Sequence, residues 1–189
     1  MAIRRIYETP DPVLRQISKP VETFDDALKT LVADMFETMY AAPGIGLAAV
    51  QVGEPIRLLV IDLQEPANPE NPESKPVRDP KTFINPEVLW HSDNEVPYTE
   101  GCLSVPEQYA EVMRPDRIRA KWRDEHGKTY EEEIGGLLAV CLQHEMDHLN
   151  GVLFIDHLSR LKRDMVLKKL AKWRKEQQQK ACLSAHLPQ

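Results

Sequence analysis

Apolar residues recur along this chain with two different periods, and the changes of period mark out its elements. From Thr23 onward, Phe24, Leu28, Leu31, Met35 and Met39 follow the three-to-four-residue spacing of a helix that buries one face. Thr23 with Asp26 reads as a variant capping box at its start, and Pro43-Gly44 ends it. Arg57-Leu58-Leu59-Val60-Ile61 is a short, nearly continuous apolar run, as in a buried strand, and Thr82-Phe83-Ile84-Asn85 starts another. Between them, Gln64 to Pro80 is rich in proline, asparagine and glutamate and reads as a mobile surface loop. Ile118 to Trp122 and Thr129 to Ile134 flank Glu125-His126-Gly127, which predicts a hairpin with His126 in its turn. Gly135-Gly136 introduces a further helix, Asn150-Gly151 stops it, and a long basic helix begins at about Ser159. Short strands alternating with three helices, without an internal repeat, predict an α+β domain.

Composition narrows this picture. With 189 residues and 42% hydrophobic content, the chain suits one domain over residues 1–180, followed by a polar tail over 181–189. Three widely spaced cysteines do not make a disulfide framework, and Met1-Ala2-Ile3-Arg4-Arg5 lacks the apolar run of a secretory signal, so the expected compartment is the cytoplasm. No stretch approaches the ~18 consecutive apolar residues of a membrane span. A net charge of −6 argues against a general nucleic-acid coat.

The chemistry concentrates in His144-Glu145-Met146-Asp147-His148. On a helix, four residues advance roughly 6 Å and overshoot one turn by about 40°, so both imidazoles can converge on one cation. Glu145 then sits beside the metal without being needed as a ligand, free to take a proton from a water that the cation has acidified. The flanks exclude two familiar versions of this helix. The metzincin pattern wants a third histidine where Phe154 stands, and Asp156, Asp164 and Glu176 lack the setting of a thermolysin-type third ligand. Cys141 shares the helix face with His144, and three ligands along one face cannot surround a tetrahedral ion, so it reads as packing. Cys182, in a polar stretch with no neighbouring Cys or metal-ligand pattern in the sequence, reads as an ordinary thiol. Cys102 is left, within Glu100-Gly101-Cys102-Leu103-Ser104. A third block, Gly44-Ile45-Gly46-Leu47-Ala48-Ala49-Val50-Gln51, permits close backbone approach and adds a neutral side-chain donor at Gln51.

In this order and at this separation, GIGLAAVQ, EGCLS and QHEMDH resemble the peptide deformylases, the enzymes that remove the N-formyl group from nascent bacterial polypeptides. Thr9-Pro10-Asp11-Pro12-Val13-Leu14-Arg15 and Lys19-Pro20-Val21 extend the likeness from near residue 1 to about residue 160, and Ser104-Val105-Pro106-Glu107 is similar to the type I bacterial branch. The resemblance implies a single-domain fold of short antiparallel strands around a central metal-binding helix, with a C-terminal helix. It implies Cys102, His144 and His148 as metal ligands, Glu145 as general base and then acid, and the Leu103 amide and Gln51 side chain as donors to the developing oxyanion. The expected substrate is a formyl-methionyl nascent peptide. Its methionine would sit among Ile45, Leu137, Val140 and Cys141, and its backbone would run beside Ile45 and Gly46, with Glu100 and Gly101 nearby. Glu100 is expected to be anchored by Arg114. Tyr109 stands where close type I relatives would carry arginine, and Gln64 to Pro80 is longer than is usual in the family. The affinity order favours zinc over ferrous iron at such ligands, whereas the resemblance implies Fe(II) as the native ion, with Zn(II), Ni(II) or Co(II) as substitutes.

Charge asymmetry singles out Arg160 to Lys175, with eight Lys/Arg and one acid, a local +7 against −6 overall and thus −13 elsewhere. Leu158, Leu161, Met165, Val166, Leu170 and Trp173 form a broad apolar side expected to pack on the domain. The basic side is expected either to aid solubility or to dock on ribosomal RNA, without reading any nucleic-acid sequence.

Overall fold

The computed structural model describes residues 2–184. Among these residues, three α-helices, α1 (Asp26–Ala41), α2 (Gly136–Leu149) and α3 (Arg160–Ser184), are set among nine strands. The strands are β1 (Gly46–Ala48), β2 (Leu58–Ile61), β3 (Pro66–Asn68), β4 (Asn71–Pro76), β5 (Lys81–His91), β6 (Glu95–Cys102), β7 (Val105–Pro115), β8 (Arg117–Arg123) and β9 (Thr129–Gly135). One antiparallel sheet has the order β1-β2-β5-β8-β9, while β6 pairs with β7 and β3 with β4. This is the α+β fold that the sequence implies.

The continuous apolar run of β2 follows from its place between two helices. Leu58 and Val60 face a core with Leu31, Met35 and Met39 of α1, whereas Leu59 and Ile61 face another with Ala139 and Leu142 of α2. The hairpin β8–β9 contributes Trp122, whose ring lies 4.9 Å from Phe83 and 5.6 Å from Tyr130. A third core joins Val105 and Val112 of β7 to Phe154, Ile155 and the α3 residues Val166 and Leu170. The central helix is thereby clamped between the five-stranded sheet and the β6–β7 pair, and the latter carries Cys102 to it.

Several expectations change. Asp25, not Thr23, caps α1: its carboxylate accepts from the Leu28 amide at 2.9 Å. Aspartate caps at least as well as threonine, and here it stands next to the first helical residue. Gln64 to Pro80 contains the β3–β4 hairpin rather than a structureless loop. The asparagines that suggest a loop flank its turn, Asn68 accepting from the Glu70 amide at 3.0 Å across it and Asn71 from the Glu73 amide at 3.1 Å just after it. Buried Asp62 ties the base of this hairpin, accepting from the amides of Gln64 and Asp79 and from the Tyr40 hydroxyl at 2.6 Å. Burial first, and then this hydrogen bond to a carboxylate, push the Tyr40 hydroxyl up to about 12.

Helix α3 continues through residues 181–184, where the composition predicts a tail, and 185–189 lie outside the described residues. Val166 and Leu170 are buried and Leu158 and Trp173 pack against the same core, while Leu161 and Met165 stay 73% and 51% exposed. No helix among the described residues is long and apolar enough to cross a membrane.

Candidate metal centre

Helix α2 starts from an extended Gly135 and a Gly136 with φ of +62°, a left-handed residue that redirects the chain out of β9. From there His144 and His148 fall one turn apart, with ring centroids separated by 5.1 Å. At the end of β6, Cys102 brings its sulfur to 3.3 Å from His148 Nε2. One ligand atom from each of Cys102, His144 and His148 lies within 4.8 Å of the others. Tetrahedral coordination by sulfur and imidazole nitrogen places its donors roughly 3.5 Å apart, so the trio is close to a binding arrangement.

Each histidine is held differently. His144 Nδ1 donates to Glu100 Oε2 at 2.7 Å, which leaves its other nitrogen for a metal. Arg114 grips the same carboxylate at 2.7 and 3.0 Å, the ion pair expected from the sequence, and also reaches Asp147 at 2.7 Å. Burial would raise the Glu100 carboxyl, but the hydrogen bonds from His144 and Arg114 outweigh it and hold it at about 2. Burial likewise works against a charged His144, yet its bonds to Cys102 and Glu100 win and lift it well above the usual imidazole range, so a cation must displace the second ring proton to bind. His148 has a buried Nδ1 without a partner, and burial pushes it well below that range, toward the neutral form that ligates metals.

Glu145 is 4% exposed and its Oε2 has no hydrogen-bond partner among the described residues. Burial raises its carboxyl to about 7, a value suited to exchanging protons near neutrality. It is packed against β1 at Gly46, where a Cβ would collide with Glu145 Oε1 and come within 3.0 Å of Cys141 Sγ. Glycine there is a matter of space. Cys141 itself is buried, and burial pushes its thiol up, so it stays protonated and packs as expected.

Gln51, in a 3-10 turn after β1, is 1% exposed. Its carbonyl accepts from the Ala48 amide at 2.8 Å, which turns its amine toward Ser104 Oγ at 3.0 Å and Cys102 Sγ at 3.6 Å. Leu103 lies in the turn between β6 and β7. These residues surround a cavity of about 550 Å3 whose walls include Ile45, Gly46, Glu100, Gly101, Leu137, Val140 and Cys141. Cys102, His144, Glu145, Gln51 and Leu103 also line it, whereas His148 lies behind, so every site residue expected from the sequence converges here.

Among the residues that the sequence does not assign to the site are Ser104, the hydroxyl that steers Gln51, and Trp173, which α3 contributes to the cavity. Ser104 meets Gln51 across 53 residues, and the sequence shows Trp173 only as part of the apolar side of its helix. Tyr109 lines the cavity with its ring laid over Gly101, where a Cβ would meet it at 2.6 Å.

A family model described as polypeptide deformylase matches residues 3–164. The chain is 66% identical to the peptide deformylase of Rhizorhabdus wittichii, with 93% of this chain and 97% of the relative covered. It is 62% identical to that of Novosphingobium aromaticivorans, with 93% and 99% covered. Among solved structures, a peptide deformylase from Legionella pneumophila is similar with a TM-score of 0.82 and 45% identity, covering 99% of this chain and 100% of its own. The Ehrlichia chaffeensis peptide deformylase in complex with actinonin is similar with a TM-score of 0.81 and 42% identity, covering 91% and 98%.

Proposed function

The chain belongs to the peptide deformylase family, and on that premise we propose how its own residues remove the formyl group. It is a metalloenzyme that hydrolyses the N-formyl group of formyl-methionyl polypeptides. One observation carries the assignment of roles: a buried carboxylate oxygen of Glu145 without a partner among the described residues stands beside three converging ligands, two of which line the same cavity as Glu145.

One sulfur and two imidazoles suit a borderline divalent ion, and three protein ligands leave one coordination position open, as in catalytic sites. Cys102, His144 and His148 would hold it. When bound, the ion supplies an acidified water and polarises the formyl carbonyl. Glu145 accepts a proton from water as the water oxygen bonds to the formyl carbon. Collapse breaks the C–N bond, Glu145 passes the proton to the departing amine, and the products are formate and a free methionyl amino terminus. The Leu103 amide and Gln51 Nε2 donate to the carbonyl oxygen as it gains charge, each worth ~3 kcal/mol in the transition state. Ile45, Leu137, Val140 and Cys141 take the methionine side chain. Strand β1 is at the edge of its sheet, so an extended peptide can pair beside Ile45 and Gly46, with Glu100 and Gly101 flanking it.

The native ion is Fe(II) in this reading, with Zn(II), Ni(II) or Co(II) as substitutes, and the place of action is the cytoplasm. N-formyl-Met-Ala-Ser should release formate, whereas unformylated Met-Ala-Ser should stay intact. A chelator should stop the reaction, and Fe(II) should restore it better than Zn(II). Formate release that persists at full rate after complete metal removal would overturn the assignment.

Helix α3 is proposed to dock on the ribosome. Lys168, Lys169 and Lys172 are exposed on it, and so are Leu161 and Met165, which solubility alone does not explain. Exchanging the three lysines for Glu should abolish salt-sensitive co-sedimentation with ribosomes and leave hydrolysis of a short formyl-peptide unchanged. Unaltered co-sedimentation would return the helix to a solubility role.

A further inference from the structure

A series of hydrogen bonds runs from the protein surface to one metal ligand and stops there. His157, in the 3-10 turn Phe154–His157 ahead of α3, has Nε2 at 2.7 Å from Asp147 Oδ2. The same Asp147 oxygen accepts from Arg114 Nη1 at 2.7 Å. Arg114 Nε and Nη2 donate to the two oxygens of Glu100 at 2.7 and 3.0 Å, and Glu100 Oε2 accepts from His144 Nδ1 at 2.7 Å. Carboxylates only accept, so the proton on each bridging bond belongs to His157, Arg114 or His144. Four side chains from α2, β6, β7 and the 3-10 turn thus support His144. The other ligand histidine has no such support, since His148 Nδ1 is buried without a partner.

We propose that Asp147 and His157 are positioning residues for the metal centre, holding His144 in its ligating orientation through Arg114 and Glu100. The inference rests on the metal-site reading above. Arg114 is 5% exposed and divides its charge between two carboxylates, Glu100 and Asp147. Without the Asp147 charge, one edge of a buried guanidinium loses its anionic partner, and the surrounding groups must shift to compensate. The shift reaches Glu100 first, because Arg114 holds that carboxylate at both oxygens, and then His144, whose ring orientation has no other hydrogen bond on that side. His157 acts one step further out. Its ring fixes the carboxylate of Asp147 from the solvent side, where the side chains are 37% and 23% exposed. An isolated pair at such exposure contributes little to stability, so its value lies in orientation. Outer partners of ligand histidines typically change metal affinity or activity by tenfold or more.

The test uses the full-length protein loaded with Co(II), whose visible absorption reports ligand geometry, together with kcat and KM on a formyl-Met tripeptide. Asp147→Asn should shift the Co(II) bands and lower kcat on the order of tenfold, with KM changed by less than about twofold. His157→Ala should move the same bands in the same direction by less, and His157→Gln, which keeps an N–H donor, should restore them. The double variant Asp147→Asn with His157→Ala should match Asp147→Asn alone, because the two act in series. Unchanged Co(II) bands in His157→Ala, or additive effects in the double variant, would overturn the proposal, even if thermal stability fell. His157 is at the surface, so this arm does not depend on Asp147→Asn folding. A wild-type protein that shows no thiolate-to-cobalt charge-transfer band would instead sink the metal-site reading itself.

Discussion

Replacing Glu145 by Gln is expected to lower kcat by about 10^2 to 10^4 while leaving stoichiometric metal uptake unchanged. The carboxylate is buried, is not needed as a ligand, and has one oxygen without a partner. A glutamine of the same shape fills the space but can neither take a proton from water nor return one to the amine. Metal content and formate release should therefore separate in this variant. In His148→Ala they should fall together, because that change removes a ligand rather than the base. Metal analysis beside a formate assay distinguishes the two cases, and near-normal turnover in metal-loaded Glu145→Gln would end the proposed mechanism.

The second large effect is expected at a residue with no chemistry of its own. Gly46→Ala would place a methyl group against Glu145 Oε1 and 3.0 Å from Cys141 Sγ, between two buried side chains that have little room to retreat. Displacing the carboxylate by about 1 Å from the reacting water costs on the order of 10^2 in rate, so kcat/KM should drop by about that factor. Metal content should be retained, since Cys102, His144 and His148 are not displaced directly. Gly44→Ala is the matched control: its methyl group would meet the flexible end of Leu103 at 2.8 Å, and a smaller loss is expected. Steady-state kinetics on one formyl-peptide settles the comparison. A Gly46→Ala enzyme as active as its Gly44→Ala counterpart would show that Glu145 is not confined by β1.

Much of this site is legible in the amino-acid sequence. The spacing of His144, Glu145 and His148 is a helical geometry written into five consecutive residues, and the apolar run from Leu58 to Ile61 needs only local periodicity to be seen. Strand β7 is far less legible. Its buried positions include Gln108 and Arg114 as well as Val112, so the inward face does not alternate as apolar against polar. Asn68 and Asn71 mislead in a different way: the residues that mark loops are also those that close a hairpin, and composition does not separate the two.

The chain by itself determined which donors are available, their order, and the pairing of two imidazoles with one carboxylate on a helix, because these depend on residues within one or two turns of each other. Only the tertiary structure decided the rest. Cys102 meets His148 across 46 residues, Gln51 is aimed by Ser104 across 53, and His144 is anchored by Glu100 across 44. None of these distances follows from local spacing. They are set where the β6–β7 pair and the five-stranded sheet close on α2, and burying that helix between them fixes His144, Glu100 and Gln51 against the partners that offset their loss of water.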